Sequence, residues 1–379
     1  MDGISNSKFA LRQHLLHLGF VFGAPPEVVT ERLNQCIGPE RAALYKNLLS
    51  NADLKGEDRE NALYDFFEGL QEANLLRSVN TDVTLDTSYF LYEKAAPFLA
   101  SGAGVVELGC WTGGLASFIA EQHPQCAVSG VDRARKIIKI CKALYRLRNL
   151  SFCQWDYRYH KPAAVQPADV LLCSLGTNYN CPHDVYTAFD STSVRGADGY
   201  KCEKAEALRY FKSWRQAAKP GGVLFAVLRT TTFPRFLAFI DASHEAGWAP
   251  AIDEFAMVEC AGNKECIPLF VFRAADGGAL DEDVALSHFT RLMSRTDKWG
   301  TVTGPAAMGI YRSLGNRHVL AKREVREQSG MLIVEELGIC GSLGYLYRHN
   351  TYPHVDLTLL SRMLAEDLLS KFSRAADQQ

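Results

Sequence analysis

Glu107, Gly109, Gly113, Gly114 and Asp132 are the residues whose types and spacing could do chemistry together. They lie in "GVVELGCWTGGLASFIAEQHPQCAVSGVDRARKI", which reads as strand, glycine turn, helix, second strand and then an aspartate. Glycines let the backbone bend sharply and approach a ligand, because no Cβ stands in the way. Asp132 follows the glycines by roughly 20 residues, at the end of the second strand, where a carboxylate can hold a ribose diol. The frame suits a nucleotide, yet two details argue against a dinucleotide. The spacing is G-x-x-x-G-G rather than G-x-G-x-x-G, with Trp111 between the glycines. Glu107 ends the first strand at the mouth of the turn, where a pyrophosphate would meet like charge. A nucleoside carrying positive charge would meet no such repulsion.

Such groups share one edge only if the flanking chain builds an open parallel sheet, and the sequence alternates accordingly. Between Leu99 and Ala274 the apolar runs "GVVELG", "AVSGVD", "LSFCQWD", "ADVLLCSLG" and "GGVLFAVLR" recur. Helix-like stretches such as "LASFIAEQHP" and "RKIIKICKALYRLRN" separate the early ones. This alternation predicts an α/β core with a parallel sheet covered on both faces. Two further runs, "MVECA" and "IPLFVFRA", flank "GNKE" and predict a hairpin that adds an antiparallel edge.

The core is expected to span residues 99–275, with a region on either side. Residues 1–98 read as helices, including the proline-initiated "PPEVVTERLNQCIG" and the periodic "EDRENALYDFFEGLQEANLL". His14 and His17 share a helix face there, but without a third ligand they read as a solvated or packed face rather than a metal site. Residues 276–379 read as an α+β accessory region, a candidate dimer arm, lid or docking module. It holds three strand-like runs, "HVLAKREVREQ", "GMLIVEELGICG" and "LGYLYRHN", and Asp356 is expected to cap a closing helix, "LTLLSRMLAEDLLSKF".

Composition narrows the class further. A net charge of -2 gives no bulk attraction to nucleic acid or to an anionic membrane, so neither partner is expected. No apolar run approaches the roughly 20 residues that span a bilayer. The first residues, "MDGISNSKFALRQHLL", lack the basic and apolar stretches of a signal peptide, and a cytoplasmic location is expected. The 11 cysteines form no C-x-x-C pair and are read as free, mostly buried thiols.

"VVELGCWTGG" followed by "VSGVD" resembles the first two cofactor motifs of class I S-adenosylmethionine-dependent methyltransferases. The resemblance continues in order through "NLSFCQWD", "ADVLLCSLG" and "KPGGVLFAV" to "EAGW" before the hairpin, over about half the chain. It implies a Rossmann-like, mostly parallel seven-stranded sheet with a terminal antiparallel hairpin, and S-adenosylmethionine as cofactor. On that resemblance, Glu107, Gly109 and Gly113 line the methionine portion, Asp132 holds the ribose hydroxyls and Arg133 flanks the adenine. Asp156 contacts the adenine amino group, with Trp155 or Tyr157 packed nearby, and Ser174 and Leu175 sit beside the sulfonium. Trp111 departs from the commonest glycine pattern, though some small-molecule O-methyltransferases place an aromatic there. Asp132 also has a bland reading, as the cap of the helix beginning near Ala134.

Acceptor-side groups must come from loops beyond the strand ends. The long polar segment after "ADVLLCSLG" offers Asn178, Tyr179, His183 and Asp184, with His183 as the base best matched to neutral pH and Tyr179 as a second catalytic candidate. Arg229 is a candidate for a substrate carboxylate. Tyr89 and Tyr92 either close over the cofactor, as aromatic residues do in relatives, or belong to the helical layer. No paired metal-binding carboxylates stand out, and no metal is expected. The expected activity is methyl transfer to an oxygen or nitrogen of a small molecule, by an enzyme that could act as a homodimer. The alternatives are a peptide or protein methyltransferase and a non-catalytic cofactor-binding scaffold.

Overall fold

A computed structural model of the chain describes residues 2–20, 26–50, 56–70, 82–99, 102–156, 161–174, 198–228, 233–260, 265–275, 318–326, 332–340, 343–349 and 355–361, with short pieces between them. The chain divides into two compact units. One comprises residues 1–180, 209–229 and 246–277, and the other residues 181–208, 230–245 and 278–379.

In the first unit the apolar runs form β1 (Gly104–Leu108), β2 (Ala127–Asp132), β3 (Leu150–Gln154), β4 (Ala168–Ser174) and β5 (Ala218–Val227). These five are parallel, and β6 (Ala249–Pro250), β7 (Ala256–Cys260) and β8 (Glu265–Arg273) complete the sheet with antiparallel pairing. The order is β3-β2-β1-β4-β5-β8-β6, with β7 also on β8. This is a Rossmann-like α/β sheet with the antiparallel end that the sequence implies. It has eight strands rather than seven because Pro250 and the short turn Ile252–Glu254 break the strand before the hairpin into two pieces. Register sets Glu107 of β1 beside Gly130 of β2 and Leu172 of β4. Strand order reverses at β1, so its carboxyl end marks the switch point where ligands of such sheets bind.

Seven of the described helices lie wholly in the first unit, and six of them come first in the chain. They are α1 (Asp2–His17), α2 (Pro26–Ile37), α3 (Pro39–Ser50), α4 (Gly56–Glu68), α5 (Asp82–Ala95) and α6 (Gly114–Gln122). The others are α7 (Arg135–Leu144), also in the first unit, α8 (Asp198–Ala217) and α9 (Phe233–Glu245). The N-terminal helices pack directly on the sheet's own helices. Leu11, Leu15, Phe20, Leu85, Tyr89 and Phe118 form one buried cluster joining α1 and α5 to α6. A Cβ on Gly114 would come within 2.7 Å of Leu15 Cδ2, so a side chain there would require Leu15 to shift. His14 belongs to the same contact, with Nε2 2.8 Å from Ser117 Oγ and Nδ1 3.1 Å from Glu121. Burial holds its pKa below the ordinary histidine value.

The second unit holds a five-stranded antiparallel sheet in the order β10-β11-β12-β13-β9. Its strands are β9 (Thr301–Thr303), β10 (His318–Arg326), β11 (Leu332–Cys340), β12 (Leu343–His349) and β13 (Val355–Ser361). The last corrects the expected helix cap. Asp356 lies within a strand, because Leu357 and Leu359 alternate inward and β13 pairs with both β12 and β9. Neighbouring Glu335 and Glu336 of β11 are both buried. Glu335 is paired with Arg323 and Arg348, while Glu336 accepts hydrogen bonds from Tyr311 and Tyr345.

Among the described cysteines, Cys110, Cys126, Cys141, Cys173 and Cys260 are free and buried. Cys202 on α8 is instead disulfide-bonded, which corrects the expectation of uniformly free thiols. No spacing in the sequence marks it, and a reducing compartment would disfavour that bond. No helix among the described residues is long and apolar enough to cross a membrane.

Candidate functional site

The glycine turn joins β1 to α6, and its backbone is pinned to the end of β2. Both Gly109 and Cys110 donate their amides to Val131 O at 2.9 Å. Gly109 and Gly113 have φ of 71° and 74°, and Trp111 adopts φ 46°, the one non-glycine residue with positive φ among those described. An L-residue pays about 1–2 kcal/mol there, so the turn holds Trp111 in a conformation that suits glycine. A Cβ on Gly113 would also stand 2.8 Å from Phe152 and 3.1 Å from Tyr145. The space beside Gly113 is thus filled by these rings, and Tyr145 further donates its hydroxyl to Thr112 O at 2.9 Å.

Glu107 is 4% exposed, and its Oε2 accepts the amide of Ala116 at 2.8 Å. Ala116 is the third residue of α6, so the carboxyl from β1 already takes one of the free first-turn amides of that helix. In a dinucleotide fold such amides face the pyrophosphate. Burial pushes the Glu107 pKa up to about 8, the Ala116 amide works against that rise, and the nearby Asp132 charge adds to it. A carboxyl this dry gains most from a cation placed against it.

Asp132, at the end of β2, is 2% exposed. Its Oδ2 accepts the amide of Trp111 at 3.1 Å and its Oδ1 the amide of Ala134 at 2.9 Å. The second bond is a local turn contact rather than the expected helix cap, since the N-cap of α7 is Ala134 and it has no side-chain cap bond. A carboxylate oxygen has two lone pairs, so this group is chemically suited to accept from hydroxyls. Trp155 is buried beside it, its amide on Asp132 O at 2.9 Å, and Asp156 follows at the surface side. Arg133 donates from Nη2 to Asn61 Oδ1 at 2.7 Å, and its carbonyl accepts from Gln154. Ser174, ending β4, donates to Thr87 of α5 at 3.0 Å.

The turn thereby gathers Glu107, Gly109, Trp111, Gly113, Asp132, Arg133 and Trp155 within one bonded network. Tyr89 and Tyr92 are placed elsewhere. Tyr89 belongs to the buried α1–α5–α6 cluster, and Tyr92 packs on Phe118 with its hydroxyl 3.2 Å from His123 Nε2. His123 caps the far end of α6, about 13 Å along the helix from the turn. Tyr157, Leu175, Asn178, Tyr179, His183, Asp184 and Arg229 lie outside the described residues.

The sequence reads α4 as a helix but gives it no place in the site. Phe67 meets the Trp111 ring edge-on at 4.7 Å between centroids. Glu68 Oε1 accepts the amide of Lys136 at 2.9 Å, and Lys136 Nζ donates back to the carbonyls of Glu68 and Leu70. The Trp111 indole Nε1 is buried, with no hydrogen-bond partner among the described residues. Only the "ALYDFF" periodicity hinted that this helix has a face to bury, and nothing in the sequence said against what.

No protein-family model matches the chain, and no curated protein matches it. Solved structures are similar over about half of it. The StiE O-MT segment, residues 942–1257, is 13% identical over 54% of this chain and 77% of that one, with a TM-score of 0.36. A variant of the 16S rRNA (adenine(1408)-N(1))-methyltransferase from Catenulisporales acidiphilia is 19% identical over 50% and 92%, at 0.34. A TehB-like SAM-dependent methyltransferase from Corynebacterium glutamicum is 13% identical over 49% and 86%, at 0.32. At such TM-scores none of these likenesses bears on substrate or reaction.

Proposed function

We propose that this protein is an S-adenosylmethionine-dependent methyltransferase acting on an oxygen or nitrogen of a small-molecule acceptor. The observation that carries the reading is the Glu107 carboxyl seated on the Ala116 amide. It fills the helix N-terminus that a diphosphate would need, and it leaves a buried acid that favours a cation. Asp132 supplies acceptors for a ribose diol at the neighbouring strand end, and the unpartnered Trp111 indole offers a donor to a ligand oxygen. These residues fit the charge and hydroxyls of S-adenosylmethionine. When bound, that cofactor supplies an electrophilic methyl group.

The chain's own part is then positioning. Glu107 and the loop carbonyls hold the ammonium end, Asp132 fixes the ribose, and Ser174 is proposed to sit beside the sulfonium. His183 is proposed as the base that takes a proton from a hydroxyl acceptor, with Tyr179 as an alternative. Asn178 and Arg229 are proposed to orient the acceptor. A small acceptor is favoured over an extended polymer because the net charge gives no general pull on nucleic acid. Residues 276–379 are proposed as an accessory region.

Incubation of the full chain with methyl-labelled cofactor and fractionated small-molecule extracts, followed by product mass analysis, tests the reading. A product heavier than its precursor by one methyl in place of a hydrogen (about 14 mass units plus the mass of the label) supports it. Label recovered only in polypeptide would select protein methylation instead. The enclosure of Asp132 favours one second reading, a scaffold without turnover, which retained cofactor binding with no labelled product would select.

A further inference from the structure

We infer that α4 is a latch over the nucleoside end of the crevice and must release before a ligand reaches Asp132. This rests on the reading that the crevice takes a nucleoside cofactor. The α4–α7 contact is reciprocal. The Glu68 carboxylate caps the N-terminus of α7 through the Lys136 amide, while the Lys136 ammonium caps the last carbonyls of α4. Each helix end has partial charge opposite to the group it receives, so the two ends hold one another by charge-assisted bonds. A third bond, Arg133 to Asn61, ties the residue after Asp132 to the middle of α4.

The latch closes on the turn through Phe67. Its ring meets Trp111, the residue in the left-handed conformation, and the Trp111 amide donates to the Asp132 carboxylate. In this arrangement Asp132 is 2% exposed, and the indole Nε1 is dry and unpartnered. A closed, unsatisfied mouth is an arrangement that ligand entry relieves. Release of α4 frees Phe67 from Trp111, opens the Asp132 carboxylate to hydroxyls and lets the indole N–H find an acceptor oxygen. The latched fraction of molecules does not bind, so the latch lowers apparent affinity by that fraction and slows association.

The test uses the full chain carrying Lys136→Met with Glu68→Gln, substitutions at part-exposed positions that keep side-chain length. Hydrogen exchange without ligand is read first. Amides of residues 107–116 and 132–138 are expected to exchange about tenfold faster than in the parent, with residues 318–361 unchanged, since two charge-assisted caps are lost. Association of S-adenosylhomocysteine, followed by stopped-flow tryptophan fluorescence, is expected to accelerate about tenfold. Phe67→Ala should accelerate it alone, with less change at residues 132–138. Unchanged exchange in the turn, or an unchanged on-rate with binding intact, overturns the latch while the cofactor reading stands. If S-adenosylhomocysteine binds neither protein, the cofactor reading falls, and the exchange result alone decides the latch.

Discussion

Glu107 links ligand affinity to pH. With a pKa pushed up to about 8 by burial, its ionised fraction in the empty crevice is about 1% at pH 6, about 10% at pH 7 and about half at pH 8. A cationic ligand favours the ionised form, so binding below pH 8 must expel a proton. Affinity for S-adenosylmethionine is expected to rise about tenfold from pH 6 to 7 and to level off near pH 8. The ligand's own α-amino group loses its proton at about 7.7–8.0, which turns the curve over above that range. Calorimetry at pH 6.5 in two buffers of different ionisation enthalpy counts the protons, and about one should be released per ligand. Glu107→Gln should release about none and flatten the dependence. The same shift acts on stability with a definite sign. A raised carboxyl pKa favours the fold most fully below the ordinary value of 4.5, and that contribution is lost as pH rises toward about 8. At pH 7 the penalty is on the order of 3 kcal/mol, so Glu107→Gln should unfold at higher temperature than the parent at pH 7 but not at pH 4. A flat affinity profile with no proton release, or identical profiles for both proteins, would refute the reasoning.

Asp132→Ala should weaken S-adenosylmethionine at least tenfold by calorimetry (about 1.4 kcal/mol) and also destabilise the fold, because two loop amides lose their acceptor; unchanged affinity would remove Asp132 from the site. Gly113→Ala meets both a φ of 74° and a 2.8 Å contact with Phe152, so urea unfolding should show a loss of about 2–4 kcal/mol, partly recovered by adding Phe152→Leu. Full recovery of stability by Phe152→Leu alone would show that φ contributes nothing. His183→Ala should lower turnover about 100-fold or more with cofactor affinity unchanged, and parent-like turnover would return His183 to the surface.

The sheet was legible because the central parallel strands are short, largely buried apolar runs, and because the turn residues carry chemistry at fixed spacing. Glu107 and Asp132 were found that way, and both stand at adjacent strand ends. What Glu107 touches was not legible, since the Ala116 amide becomes its partner only when α6 folds back along β1. Asp132 admitted two readings because a carboxylate has two oxygens, and one of them does make the local bond to Ala134. Asp356 misled because a Leu-rich run after an acid fits a capped helix as well as a strand, and pairing with β12 and β9 decided it. The place of α4 depends on contacts between residues about 70 apart in sequence, such as Glu68 with Lys136, for which periodicity holds no signal.

Side-by-side titration of the full chain with S-adenosylmethionine and with NAD at pH 7.5 most directly probes the charge preference of the crevice. One saturable site for S-adenosylmethionine and no heat from NAD is the expected result. Saturable NAD binding with no response to S-adenosylmethionine would contradict it.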